Sequence, residues 1–198
     1  MAIGNQFVFL VYSSLTLAFI FFLHGATARP MVATHIDIEK DDDLIKKTCK
    51  KTDYYDLCVS SLKSDARSST KTADLNDFVM IFIDLAMSNA SETYGFLNKL
   101  IDNTTDYALQ LAIRDCTVFY DKGYQILRNA QLITNYEVLY NEVGRAKDEA
   151  AVSCENIFHS GAKDDHRKTP MVVTKRNELF EHLCLINQSI INLLRSSS

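Results

Sequence analysis

An all-α fold, an antiparallel up-down four-helix bundle preceded by an N-terminal helical hairpin, is predicted by three features of the 198-residue sequence. Proline occurs only at Pro30 and Pro170, so nothing from Met31 to Thr169 forces a helix to stop. Four long segments repeat apolar residues every three or four positions, the period of one helix face. No β-rich segment competes with them.

The elements follow in order. Residues Leu44 to Leu62, within a hairpin unit spanning 44–64, read as two short helices folded back around Cys49 and Cys58. Ser64 to Thr70 is a polar linker, and the bundle spans 72–195. Its first helix runs from Thr72 to Asp102, with Leu75, Phe78, Val79, Phe82, Leu85, Ala86, Asn89, Thr93, Phe96, Leu97 and Leu100 on one face. Asn103-Thr104-Thr105 turns the chain into a second helix, Asp106 to Leu132, marked by Leu109, Ala112, Cys116, Phe119, Gly123, Ile126 and Ala130. A third starts at Asn135 and carries Leu139, Val143, Ala146, Ala150, Cys154, Ile157 and Phe158. After the polar loop Ser160 to Pro170, a fourth covers Val172 to Leu194, with Leu179, Leu183, Ile186, Ile190 and Leu194 inward. At 1.5 Å per residue, such helices are roughly 35 Å long, and short connections make neighbours antiparallel.

The compartment is read from the N-terminus. Met1 to Ala28 holds no charged side chain; Phe7 to Leu23 is apolar, and Ala26-Thr27-Ala28 is a small-x-small cleavage pattern followed by Arg29. A signal peptide, residues 1–28, is expected in preference to a membrane anchor, because the cleavage pattern follows an apolar run that is barely long enough to span a bilayer. A flexible lead-in, 29–43, then ends in Asp41-Asp42-Asp43. In an oxidising compartment Cys49, Cys58, Cys116 and Cys154 are disulfide candidates and Cys184 is left over. Spacing favours Cys49–Cys58 across a short turn and Cys116–Cys154 between two helices.

Charge and motifs exclude much. The net charge of −4 argues against a nucleic-acid binder. No Gly-x-Ser-x-Gly elbow, phosphate-binding glycine loop or Glu-x-x-His pair is present, and no cofactor is expected. His159 and His166, with Asp164 and Asp165 between them, match no common zinc spacing. His182 and Cys184, two apart on a helix, point in nearly opposite directions, so they form no dyad. Of three Asn-x-Ser/Thr sites, Asn103 in the turn is the expected glycan acceptor; Asn89 and Asn187 fall on or beside apolar faces, where a glycan blocks packing.

Leu44-Ile45-x-x-Thr48-Cys49-x-x-Thr52-x-Tyr54-Tyr55-x-x-Cys58-x-x-x-Leu62, with Asp115-Cys116-x-x-x-Tyr120 and Ala150-Ala151-x-x-x-Cys154-Glu155-x-x-Phe158, resembles the plant invertase/pectin methylesterase inhibitor family. The resemblance covers Leu44 to Leu194, within a domain placed at 44–195. It implies a hairpin and four-helix bundle with disulfides joining first to second and third to fourth cysteine. It also implies a non-enzymatic protein, monomeric when free, that inhibits a carbohydrate enzyme of the cell wall or vacuole. In one branch the bundle covers the cleft of pectin methylesterase in a one-to-one complex; the other branch blocks acid invertase.

Two features bear on the branch. Leu183-Cys184-Leu185-Ile186 is similar to a pattern with an unpaired cysteine in the last helix of pectin methylesterase inhibitors. Physically, Cys184 is a small buried residue expected to pack the hairpin against the bundle. Before the third bundle helix, where some invertase inhibitors place Pro-Lys-Phe, this chain has Thr134-Asn135-Tyr136-Glu137. Both favour pectin methylesterase, with Asn135 and Tyr136 replacing that motif if invertase is the target. Asp115, Asp121, Glu137 and Glu142 are the acidic residues expected to meet a basic enzyme. A storage protein or a small-molecule carrier are the competing readings; Phe78, Phe82, Phe96, Phe119 and Phe158 are expected to fill the void a carrier needs.

Overall fold

Aspartate and asparagine side chains set the helix starts. Asp74 accepts hydrogen bonds from the backbone N–H groups of Asn76 (2.7 Å) and Asp77 (3.1 Å), and Asp77 reciprocates to the Asp74 N–H at 3.0 Å. This capping box starts α3, Leu75–Asp102, later than Thr72. Asp106 likewise caps α4, Tyr107–Ala130, and Asn135 caps α5, Tyr136–Lys147. The computed structural model describes residues 35–70, 72–159 and 169–197, all within one compact unit. The expected signal peptide and most of the Ser160–Pro170 loop, including His166, lie outside the described residues.

Among the described residues the structure is helical, without strands. Two short helices, α1 (His35–Cys49) and α2 (Tyr55–Ser64), form the hairpin, and a 3-10 turn, Ala66–Ser69, leads to the bundle. The third bundle helix is α5, a π-helical turn at Asp148–Val152, and a short α6, Ser153–Ile157. The last is α7, Met171–Ser197. Helix α3 packs most extensively against α4 and α7, while α5 rests on α4 and α7.

The hairpin begins earlier than the sequence implied. Helix α1 extends back to His35, through much of the 29–43 stretch expected to be flexible. The aspartate run is part of the reason: Asp42 pairs with Lys46 one turn on (2.6 Å) and with Lys63 of α2 (2.5 Å). The linker is also structured. The buried Ser68 hydroxyl donates to the carbonyls of Leu62 (2.5 Å) and Asp65 (2.8 Å), and Arg67 joins Asp65 to Asp84 of α3.

Both expected disulfides form. Cys49–Cys58 closes the hairpin with a Cα–Cα distance of 5.5 Å, and Cys116–Cys154 ties α4 to α6 at 4.7 Å. Close approach along that seam depends on Gly123, where a Cβ atom would meet the Cβ of Ala150 at 2.7 Å.

Two inward faces are corrected. Helix α3 buries Ile81, Ile83 and Ala90 besides the expected stripe, because it is covered by both α4 and α7. On α7, Leu179 is exposed and Phe180 is buried, its ring edge-on to Tyr120 at 5.6 Å. Phe78, Phe82 and Phe158 fill the core as expected. Phe96 and Phe119 do not: they are only partly buried, with Arg176 over the first ring at 4.3 Å and Lys122 near the second at 5.9 Å.

Candidate enzyme-docking face

The six acidic and polar residues expected at an interface separate into two groups. On α4, Asp115 and Asp121 are exposed and carry no ion pair among the described residues. The residues around the α5 start are engaged within the molecule. Asn135 spends its side-chain oxygen on the Val138 N–H at 3.0 Å, and the Tyr136 hydroxyl donates to Asn76 Oδ1 at 2.8 Å. Glu137 pairs with Arg195 of α7, whose guanidinium lies over Tyr140 at 5.2 Å. Glu142 pairs with Arg145 and holds that guanidinium charged beyond its ordinary range.

Helix α4 exposes more than charge. Tyr107 is 72% exposed, Leu111 41% and Val118 49%, all large apolar side chains on the solvent side of the bundle. Their spacing of four and seven residues puts them on one face. Asp115 falls between Leu111 and Val118, and Asp121 lies one turn further. The sequence reading missed this stripe by following only the inward period; the signal was a second apolar series on the same helix.

Behind that face a polar chain holds α4, α6 and α7 in register. The buried Tyr120 hydroxyl donates to Asn177 Oδ1 at 2.8 Å, and Asn177 Nδ2 donates to Glu155 at 2.7 Å. Thr174 donates to the other Glu155 oxygen at 3.1 Å, with His159 3.8 Å from it. Desolvation raises the Tyr120 phenol well above its ordinary range, so it remains a donor.

Cys184 is free and fully buried, and burial pushes its thiol far up. Lys147, Glu181 and Asp148 are the charged groups whose fields reach it. His182 of α7 meets the hairpin, stacked on Tyr54 with centroids 3.9 Å apart. Asn103 is exposed at the end of α3, whereas Asn89 and Asn187 are buried. No group of three or more His, Cys, Asp or Glu among the described residues is arranged to hold a metal. Among the same residues no helix is long and apolar enough to cross a membrane.

The family model described as plant invertase/pectin methylesterase inhibitor matches residues 43–190. The chain belongs to this family. As an invertase/pectin methylesterase inhibitor family member it is 30% identical to the cell wall / vacuolar inhibitor of fructosidase 2 of Arabidopsis thaliana, over 76% of this chain and 83% of the relative. It is 29% identical to a pectinesterase inhibitor of Actinidia deliciosa, over 90% of each chain. A crystal structure of a mutant pectin methylesterase inhibitor from Arabidopsis superposes with a TM-score of 0.58 at 22% identity, covering 75% of this chain and 95% of that one. The relatives are enzyme inhibitors and not enzymes, and members of this family act on cell-wall or vacuolar carbohydrate enzymes.

Proposed function

We propose that this protein is a secreted inhibitor of pectin methylesterase that covers the enzyme's substrate cleft in a one-to-one complex, using the outer face of α4. The observation that carries the reading is the contrast between two surfaces. Tyr107, Leu111 and Val118 stand exposed beside the unpaired Asp115 and Asp121, the mix of aromatic anchor and uncompensated charge that interfaces use. The turn before α5, where an invertase-directed motif would project, is instead held by Asn135, Tyr136 and Glu137 in contacts of its own. The protein acts as a monomer in the apoplast or vacuole after loss of residues 1–28, and its inhibitor domain spans 44–195. Asn103, exposed in an Asn-x-Thr site, carries the glycan.

The test titrates disulfide-intact protein against a plant pectin methylesterase and an acid invertase at mildly acidic pH. Stoichiometric loss of esterase activity alone supports the proposal. Reversing Asp115 and Asp121 to Lys is then expected to weaken inhibition about tenfold, mainly through slower and less salt-sensitive association. Loss of invertase activity alone replaces it with the second reading, which the 30% identity to a fructosidase inhibitor favours. Loss of neither leaves a storage role. Glycosidase treatment is expected to shift the gel mobility of the secreted protein and to leave an Asn103→Gln variant unmoved; a shift in the variant assigns the glycan elsewhere.

A further inference from the structure

Midway along the α3–α4 seam, small Ala90 and Ser91 leave a cleft of about 160 Å³, walled by Tyr94, Tyr120, Tyr124, Asp121 and Gln125. We propose that this cleft binds a single neutral pyranose ring, a binding activity that shares Asp121 with the proposed docking face.

The chemistry of the walls selects this ligand. Tyrosine faces pack against the C–H face of a sugar ring, and the exposed Tyr94 is available for it. The Asp121 carboxylate accepts hydrogen bonds from hydroxyls, while the Gln125 amide and the Ser91 hydroxyl both donate and accept. Tyr120 lies beneath the cleft floor, fully buried with its hydroxyl bonded to Asn177, so the ring-packing surface is that of Tyr94 and Tyr124. The volume is below the ~300–1,000 Å³ of clefts for drug-sized ligands, so it suits one ring and not a chain.

Charge separates the neighbouring ligand classes. Arg114 and Arg128 lie seven residues before and after Asp121, on the same side of α4 and about 10 Å away along the axis. Both are exposed and without an ion pair among the described residues, so they offset part of the attraction of Asp121 for a cationic occupant. Asp121, inside the cleft, opposes a uronate. A neutral hexopyranoside, or a uronosyl ring whose carboxyl is methyl-esterified, does not meet that repulsion.

Saturation-transfer NMR on the purified, disulfide-intact protein tests this without any target enzyme. The probes are methyl α-D-galactopyranoside, methyl α-D-galactopyranosiduronate, the methyl ester of that uronate, and butylguanidinium. The neutral and esterified rings are expected to receive saturation, with the free uronate about fourfold weaker, the factor for two unit charges about 5 Å apart in water. Tyr94→Ala removes the signal, Tyr94→Phe keeps it, and Asp121→Asn brings the uronate level with its ester. The proposal is overturned by any of three results: no transfer to a pyranoside at millimolar concentrations, transfer indifferent to Tyr94→Ala, or butylguanidinium displacing the sugars.

Discussion

Gly95 and Gly123 sit on neighbouring helices in opposite circumstances. Nothing lies within 4 Å of a Cβ built on Gly95, whereas one on Gly123 would meet Ala150 at 2.7 Å and the Ala146 carbonyl at 3.2 Å. Gly95→Ala is expected to stabilise the protein by about 0.5–1 kcal/mol through helix propensity. Gly123→Ala is expected to destabilise it by about 1–3 kcal/mol, because backbone and not a flexible side chain must yield. Urea midpoints check both, and equal midpoints would refute the seam argument. Cys184 gives a second residue-scale expectation. Buried and held as the thiol, it should resist a thiol reagent in the folded protein and react only as fast as the chain unfolds. The sequence placed Gly123 on an inward face and left Cys184 unpaired. It did not reveal that Gly123 faces Ala146 and Ala150, which stand beside and within the π-helical turn of a different helix.

At the scale of elements, the two disulfides differ in the chain they close. Their sequence separations are 9 for Cys49–Cys58 and 38 for Cys116–Cys154. Loop-closure entropy then predicts about 2.5 and about 4 kcal/mol respectively. Paired Cys→Ser variants measured by thermal unfolding should lose more from Cys116 and Cys154 than from Cys49 and Cys58; the reverse order would mean that strain or residual structure dominates. The bundle helices were legible because amphipathic period is a local signal; their first three starts lie within a few residues of those expected, at caps Asp74, Asp106 and Asn135. The misses were non-local. Ile81 and Ile83 break a single-stripe pattern because α3 has neighbours on two sides. At the candidate docking face, single-residue charge was visible, but the competing ties of Tyr136 and Glu137 reach Asn76 and Arg195 far along the chain.

Across the whole molecule, the titrating groups define a stability plateau. Burial keeps the Cys184 thiol and Tyr120 phenol protonated above their ordinary values, while an unfolded chain ionises them near about 8.5 and 10. Above those values the unfolded state binds fewer protons than the folded one, so stability falls as pH rises. On the acid side, Arg67 holds Asp65 below the usual carboxylate range, a contribution present above about pH 4 and lost as pH falls further. Urea midpoints should therefore agree at about pH 5.5 and 7.5 and decline by about pH 10, with Cys184→Ala lessening the decline.

The placement of the bridges has a consequence for covalent connectivity. One bond lies wholly within the hairpin and the other wholly within the bundle, and the remaining cysteine joins nothing. Between them runs a single strand of backbone through Ala66–Ser69. A lone peptide scission there would divide the protein into two internally cross-linked fragments, held to one another by side-chain contacts such as Arg67 with Asp84 and Tyr54 with His182. That division would be the same with or without a reductant.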